Sequence, residues 1–189
     1  MILVFFGLIA TGKSTVASAW AARHGYAHFN SDRIRKELAG MLPGAGCMET
    51  LDKGIYSKEF SRRTYDLLLA KAEQECLAGR PVVLDASFQY RADRDRVRSL
   101  ASRLGVDLLF ILCNCSEDLI MKRLIRRSQD AEAVSDGNPA IYLAQKERFE
   151  LPDELAGEIL VNLSTAGNIN ELLDHLDKIL VNNQVDRKN

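Results

Sequence analysis

Gly7-Leu8-Ile9-Ala10-Thr11-Gly12-Lys13-Ser14 is the stretch on which the fold turns. It fits G-x-x-x-x-G-K-[ST] at every position, follows the apolar run at 2–6 and opens a helical pattern over 13–23. A strand that is apolar throughout is one buried on both faces of a parallel sheet. Gly7 and Gly12 permit backbone torsions and a close approach that a Cβ would obstruct. Successive N–H groups over 7–15, ending at Thr15, then converge on a phosphate at a helix N-terminus. Lys13 is placed to reach β- and γ-phosphates and to act on the transferred group, and the Ser14 hydroxyl to ligate Mg²⁺. ATP with Mg²⁺ is the expected cofactor.

Outward from this turn, short apolar runs alternate with helical stretches. That alternation predicts an α/β fold with a parallel sheet and crossover helices. Strands are expected at 2–6, 27–30, 81–85, 106–113 and 158–163. Helices are expected at 13–23, from 32 to 39, and at 57–78, 91–104, 116–127, 140–150 and 169–181. Residues 41–54 hold Pro43, Gly44, Gly46 and Gly54, which predicts a loop. With 189 residues and no composition break, the chain reads as one domain over 1–183, with a frayed tail at 184–189.

The bulk numbers exclude several classes. A net charge of −1 and a pI near 6.3 provide no global field for nucleic acid or anionic membrane. The four cysteines, Cys47, Cys76, Cys113 and Cys115, form no CxxC, and no histidine lies at ligand spacing from the Cys113/Cys115 pair, so a zinc site is not expected. Ala17-Ser18-Ala19 resembles a signal-peptidase site, but no positive segment precedes the apolar start and Lys13 interrupts it. No apolar run reaches membrane-spanning length. These readings predict a cytoplasmic protein, monomer or homodimer, whose partner is a small-molecule acceptor, with nucleic acid disfavoured.

Four further positions carry chemistry. Pro81-Val82-Val83-Leu84-Asp85 is an apolar strand ending in an acid; Asp85 either holds Mg²⁺ beside Ser14 or caps the following turn. In Asn30-Ser31-Asp32-Arg33-Ile34-Arg35, Asp32 and Arg35 share a helix face at the carboxyl edge of the sheet. Asp32 either accepts the proton of an attacking hydroxyl, with Arg35 gripping an acceptor anion, or belongs to ordinary helix-start chemistry with Ser31 as N-cap. Arg123 and Arg127 lie one helical turn apart before a polar loop. They either fold over the triphosphate and neutralise charge during transfer, or form a basic stripe at a helix C-terminus. Arg91, Arg94, Arg96 and Arg98 interleave with Asp93 and Asp95 as a solvated helix face, from which Arg91 or Arg94 could reach the acceptor. Thr165, in Ser164-Thr165-Ala166-Gly167-Asn168, falls where a loop could line an adenine ring.

Taken together, these residues resemble the P-loop kinase group that includes gluconate kinase, chloramphenicol phosphotransferase, zeta toxin and phage polynucleotide 5′-hydroxyl kinase. They are most similar to the ATP-binding, predicted-kinase domains often fused to aminoglycoside-phosphotransferase-like domains. Besides the motifs above, the likeness rests on Asp85-Ala86-Ser87-Phe88, on Ser135-Asp136-Gly137-Asn138-Pro139 and on Gln145…Phe149-Glu150-Leu151-Pro152. It implies a P-loop NTPase, a three-layer α/β/α sandwich with a five-stranded parallel sheet in the order 2-3-1-4-5. The implied lid spans about 123–139 and the acceptor-side segment about 32–60. It also implies general-base and acceptor-ligand roles for the acid-x-x-Arg pair, here Asp32 and Arg35. The activity expected is phosphotransfer from ATP to a hydroxyl of a small molecule. A polynucleotide 5′-hydroxyl kinase and a non-catalytic ATP-dependent switch are the competing functions.

Overall fold

The computed structural model describes residues 1–42, 54–128, 138–155, 157 and 159–186. Five strands, β1 (Ile2–Phe6), β2 (Ala27–Asn30), β3 (Val82–Asp85), β4 (Leu108–Asn114) and β5 (Leu160–Ser164), form one sheet in the order β2-β3-β1-β4-β5. Every pairing is parallel. The order and architecture are those implied by the resemblance. The helices are α1 (Lys13–His24), α2 (Ser31–Leu38), α3 (Lys58–Leu77), α4 (Arg91–Leu104), α5 (Glu117–Ser128), α6 (Pro139–Arg148) and α7 (Ile169–Asp186).

The uninterrupted apolar run of β1 is explained by its two faces. Ile2, Val4 and Phe6 pack under α3 and α4 with Leu68, Val97 and Leu100. Leu3 and Phe5 pack under α1 and α7 with Val16, Trp20 and Leu176. Alternate side chains of a strand point to opposite faces, so a central strand covered on both sides has no polar position to spare. A third cluster, Ile9, Ala10, Ile120, Leu124 and Tyr142, seats α5 and α6 on the turn after β1.

Register places the chemistry. Phe5 pairs with Asp85 and Asp85 with Asn30, so the carboxyl ends of β1, β3 and β2 lie side by side. This is the sheet edge where open α/β folds bind ligands. Most boundaries shift by one or two residues from the sequence reading, β5 starting at Leu160 and α6 ending at Arg148 among them. Helix α2 starts at Ser31 because the Asn30 side chain, not that of Ser31, accepts from Arg33 N at 3.0 Å. Strand β4 starts at Leu108, two residues later than expected, because Gly105 turns left-handed and Asp107 O is occupied by Ile2 N at 2.7 Å. Helix α7 continues to Asp186, through part of the expected tail. The loop proline and glycines at 43–46 lie outside the described residues.

Candidate active site

The turn between β1 and α1 adopts the strained torsions its glycines predict. Gly7 has φ 136° and Gly12 φ 88°, and a Cβ on Gly7 would meet Cys113 O at 2.5 Å. Ala10 also has positive φ, 60°. The loop closes on itself through Thr11 Oγ1, which donates to Leu8 O at 2.8 Å, and Lys13 Nζ lies 3.5 Å from Leu8 O. No side chain caps α1, whose N-cap is Gly12. Its first-turn amides are therefore available to an anion, the arrangement that binds phosphate. This cradle fits a nucleoside triphosphate.

Beside it, Ser14 Oγ donates to Asp85 Oδ1 at 3.2 Å, and Asn30 Nδ2 donates to Asp85 Oδ2 at 2.6 Å. His28 Nε2 lies 3.5 Å from the same oxygen. Asp85 is fully buried. Burial alone would raise its carboxyl, but the hydrogen bond from His28, the charge of Lys13 and the bond from Asn30 outweigh it and hold the group below the ordinary aspartate value. A hydroxyl and an ionised carboxylate are hard oxygen donors of the kind Mg²⁺ takes alongside phosphate oxygens. Among the described residues no group of three or more His, Cys, Asp or Glu is placed to hold a metal. A cation here would therefore need oxygens brought by the nucleotide, which suits Mg²⁺ and not an all-protein site.

The loop is shared by two cavities. One, of about 430 Å³, is lined on the loop side by Ala10, Gly12 and Thr15, and opposite by Arg123, Thr165 and Gly167. Thr165 Oγ1 donates to Thr11 O, and Arg123 donates to Ala10 O at 3.2 Å and to Thr165 O at 2.8 Å. Arg123 was expected to fold over the triphosphate. It is instead braced between the loop and the β5–α7 connection, on the wall of this cavity. Its guanidinium is drawn there by three oxygen acceptors and Cys115 Sγ at 3.4 Å. Arg126, in the last turn of α5, lines the same cavity and was missed. The Arg127 side chain and Ser135–Gly137 lie outside the described residues.

The other cavity, of about 730 Å³, opens from Lys13 and Ile9 and includes Asn30, Asp32 and Arg35. Arg35 is buried, donates to Ile55 O at 2.6 Å and to Ser61 Oγ at 3.1 Å, and sits 5.0 Å from the Tyr56 ring centre. Its Nε finds no partner in the protein among the described residues. Tyr65 backs the cavity; its hydroxyl accepts from Phe88 N at 3.2 Å, and burial pushes its pKa up to about 12, so it is a neutral phenol.

Arg94 does not reach this cavity, which corrects the sequence expectation. It is fully buried, with Nε on Glu154 at 2.5 Å, one terminal nitrogen on Phe88 O at 2.9 Å and the other on Leu151 O at 3.3 Å. Three of its four hydrogen bonds hold Leu151 and Glu154 in the segment after α6, and the fourth holds Phe88 O after β3. The same segment stacks Phe149 on Phe6 with ring centres 6.5 Å apart, and lets Glu150 accept from Arg91 N at 2.5 Å. The Phe149-Glu150-Leu151-Pro152 stretch thus works as a fastener. Its companion Gln145 does line the cavity, and Gln145 Oε1 accepts from Ile9 N at 3.0 Å. Asn30, His28 and Gln145 were missed as site residues. Parallel pairing of the two strand ends was the signal that could have found Asn30.

Comparison with known proteins agrees with this geometry. A family model described as an AAA domain (AAA_33) matches residues 2–152. The uncharacterized protein Rv2004c of Mycobacterium tuberculosis (strain ATCC 25618 / H37Rv) is 28% identical over 118 residues, covering 62% of this chain and 24% of its own length. The chain therefore spans about a quarter of the curated relatives it matches. Among solved structures, a protein of Chloroflexus aurantiacus J-10-fl superposes with TM-score 0.71 at 18% identity, covering 94% of this chain and 96% of the other. A gluconokinase of Sinorhizobium meliloti 1021 gives TM-score 0.63 at 21% identity, with coverage of 96% and 91%. The APS kinase CysC of Mycobacterium tuberculosis, solved with AMPPNP and APS, gives 0.62 at 18% identity, with coverage of 95% and 96%.

Proposed function

The chain belongs to the AAA domain family, and on that premise we propose that it is an ATP- and Mg²⁺-dependent kinase of a small hydroxyl compound. One observation carries this reading: the phosphate loop forms a wall of two separate cavities, Gly12 and Thr15 facing one and Ile9 and Lys13 the other. A nucleotide-dependent switch needs only the first. The second lies in the size range of small-molecule sites, roughly 300–1,000 Å³, which favours a compact acceptor over a polymer. No helix among the described residues is long and apolar enough to cross a membrane.

In this reading the loop amides and Lys13 hold the β- and γ-phosphates. Ser14 and Asp85 would hold Mg²⁺, which when bound would neutralise charge on the phosphate oxygens. The acceptor oxygen forms its bond to the γ-phosphorus as the bond to the bridging oxygen breaks, and ADP leaves. Asp32 takes the hydroxyl proton and Arg35 positions the acceptor. Arg123 and Thr165 position the nucleoside, and Arg127 acts on the transferred charge. His28 and Asn30 keep Asp85 ionised and oriented. The test is ADP release from ATP across sugars, polyols, nucleosides, aminoglycosides and oligonucleotides, with Asp32→Asn as control. ATP binding without acceptor-dependent ADP release from any of them would favour the switch, and a response to oligonucleotides alone would favour the polynucleotide kinase.

A further inference from the structure

We propose that the acceptor carries an anionic group, carboxylate or phosphate, in addition to its reacting hydroxyl, and that Lys58 and Arg62 of α3 receive it. The inference rests on the kinase reading above and narrows its substrate class.

Among the described residues the larger cavity is lined by six Lys or Arg side chains against three Asp. Assigning Lys13 to the nucleotide still leaves an excess of positive charge. Asp66 is already matched, by Arg96 of α4. Lys58 and Arg62 make no ion pair with a carboxylate among the described residues. Elsewhere arginines close onto acids, as in Arg80–Glu75, Arg98–Asp95 and Arg103–Glu73.

The placement of the two cations works against helix stability. Lys58 is the first residue of α3, directly after its N-cap Ser57, where the helix dipole favours acids and disfavours cations. Arg62 follows one turn later on the same face, and like charges at that spacing repel. Ser61, Tyr65 and Asp66 continue the same face along the cavity wall. Local rules broken on a cavity wall, with no ion pair to a carboxylate among the described residues, mark groups kept for a ligand. From the other wall Arg148 of α6 faces the same space. An acceptor whose hydroxyl lies at Asp32 thus meets its remaining charge on the α3 wall. Arg guanidinium recognises carboxylate and phosphate alike, so the anion type is left to measurement.

The test is ADP release from ATP with hydroxyl compounds in matched sets: a neutral polyol, sugar or nucleoside, its carboxylate analogue and its phosphomonoester. Turnover is expected to favour a charged member over its neutral partner by at least about tenfold in kcat/KM, with the better anion identifying the class. Lys58→Ala and Arg62→Ala should each raise KM for that anion by about ten- to hundredfold, the loss of a charged hydrogen bond, and leave KM for ATP unchanged. Both side chains are exposed and alanine is a strong helix former, so the fold is not at stake. Equal kcat/KM for neutral and charged members, or an unchanged KM in the double variant, overturns the inference and leaves the kinase reading standing. Retained AMPPNP binding with no ADP release from any set overturns both.

Discussion

The backbone amide of Ile9, inside the phosphate loop, donates to the side-chain oxygen of Gln145, 136 positions further along the chain, at 3.0 Å. Helix α6 is thereby tied to the wall shared by the two cavities. A neutral amide at this point satisfies a loop donor without adding charge where phosphates bind. Gln145→Glu would place a carboxylate there. Its repulsion of the triphosphate should weaken ATP binding by about tenfold or more, while Gln145→Ala costs less. Titration with a fluorescent ATP analogue, with circular dichroism to verify folding, checks both.

Lys13→Ala and Ser14→Ala should each reduce phosphotransfer by orders of magnitude with little change in Tm. Both groups act on phosphate or metal charge, and neither belongs to the three apolar clusters. Near-normal turnover by purified Lys13→Ala would remove the loop from catalysis.

Asp32 and Asp85 separate in a pair of Mg²⁺ titrations. Asp85→Asn keeps the size of the side chain but loses the charge and one of the two oxygens that accept from Ser14 and Asn30. It should raise the Mg²⁺ concentration for half-maximal rate. Asp32→Asn should lower kcat by about 10²–10⁴-fold, the usual contribution of a general base, at an unchanged Mg²⁺ midpoint. Swapped outcomes would swap the two roles.

Arg123→Ala should raise KM for ATP more than it lowers kcat, because its side chain braces Ala10 and Thr165, which the proposed function assigns to the nucleotide cavity. Arg127→Ala is expected to show the opposite ratio, lowering kcat more than ATP affinity. Steady-state kinetics in ATP at saturating acceptor distinguishes them.

Arg94→Ala leaves Glu154 buried without its partner and should cost about 3–5 kcal/mol, visible as a lower urea midpoint with kinetic constants preserved at low temperature. Burial would raise the Glu154 carboxyl, yet the hydrogen bond from Arg94 holds it below the ordinary value. A depressed folded value means this stabilisation is complete above the unfolded value of about 4.3 and is lost as pH falls through the folded one. The wild type should therefore lose its advantage over Arg94→Ala on acidification below pH ~4.

What the sequence made legible was whatever local chemistry decides. Gly7, Gly12, Lys13 and Ser14 declare a phosphate turn by their spacing, and four apolar residues before Asp85 declare a strand with an acid at its tip. The element order then follows from the alternation of runs. Long-range pairing was not legible in the same way. Asn30 faces Asp85 only because β2 and β3 pair in one register. Arg94 looked like one of four surface arginines, because the groups that bury it, Leu151 O and Glu154, lie some sixty residues on. Arg123 was read as an arginine over the triphosphate or in a basic stripe, and its bonds to Ala10 O and Thr165 O were not legible because Thr165 reaches it only through β5.

Ala10 holds φ 60° with a side chain, at a cost of roughly 1–2 kcal/mol relative to a right-handed conformation. Its buried methyl packs in one cluster with Ile120 and Leu124 of α5 and Tyr142 of α6. A glycine would adopt the torsion freely and touch neither helix. With alanine, the left-handed torsion of the phosphate loop and the seating of α5 and α6 are joined through one buried methyl group, so a substitution at this position is felt by the loop and by both helices together.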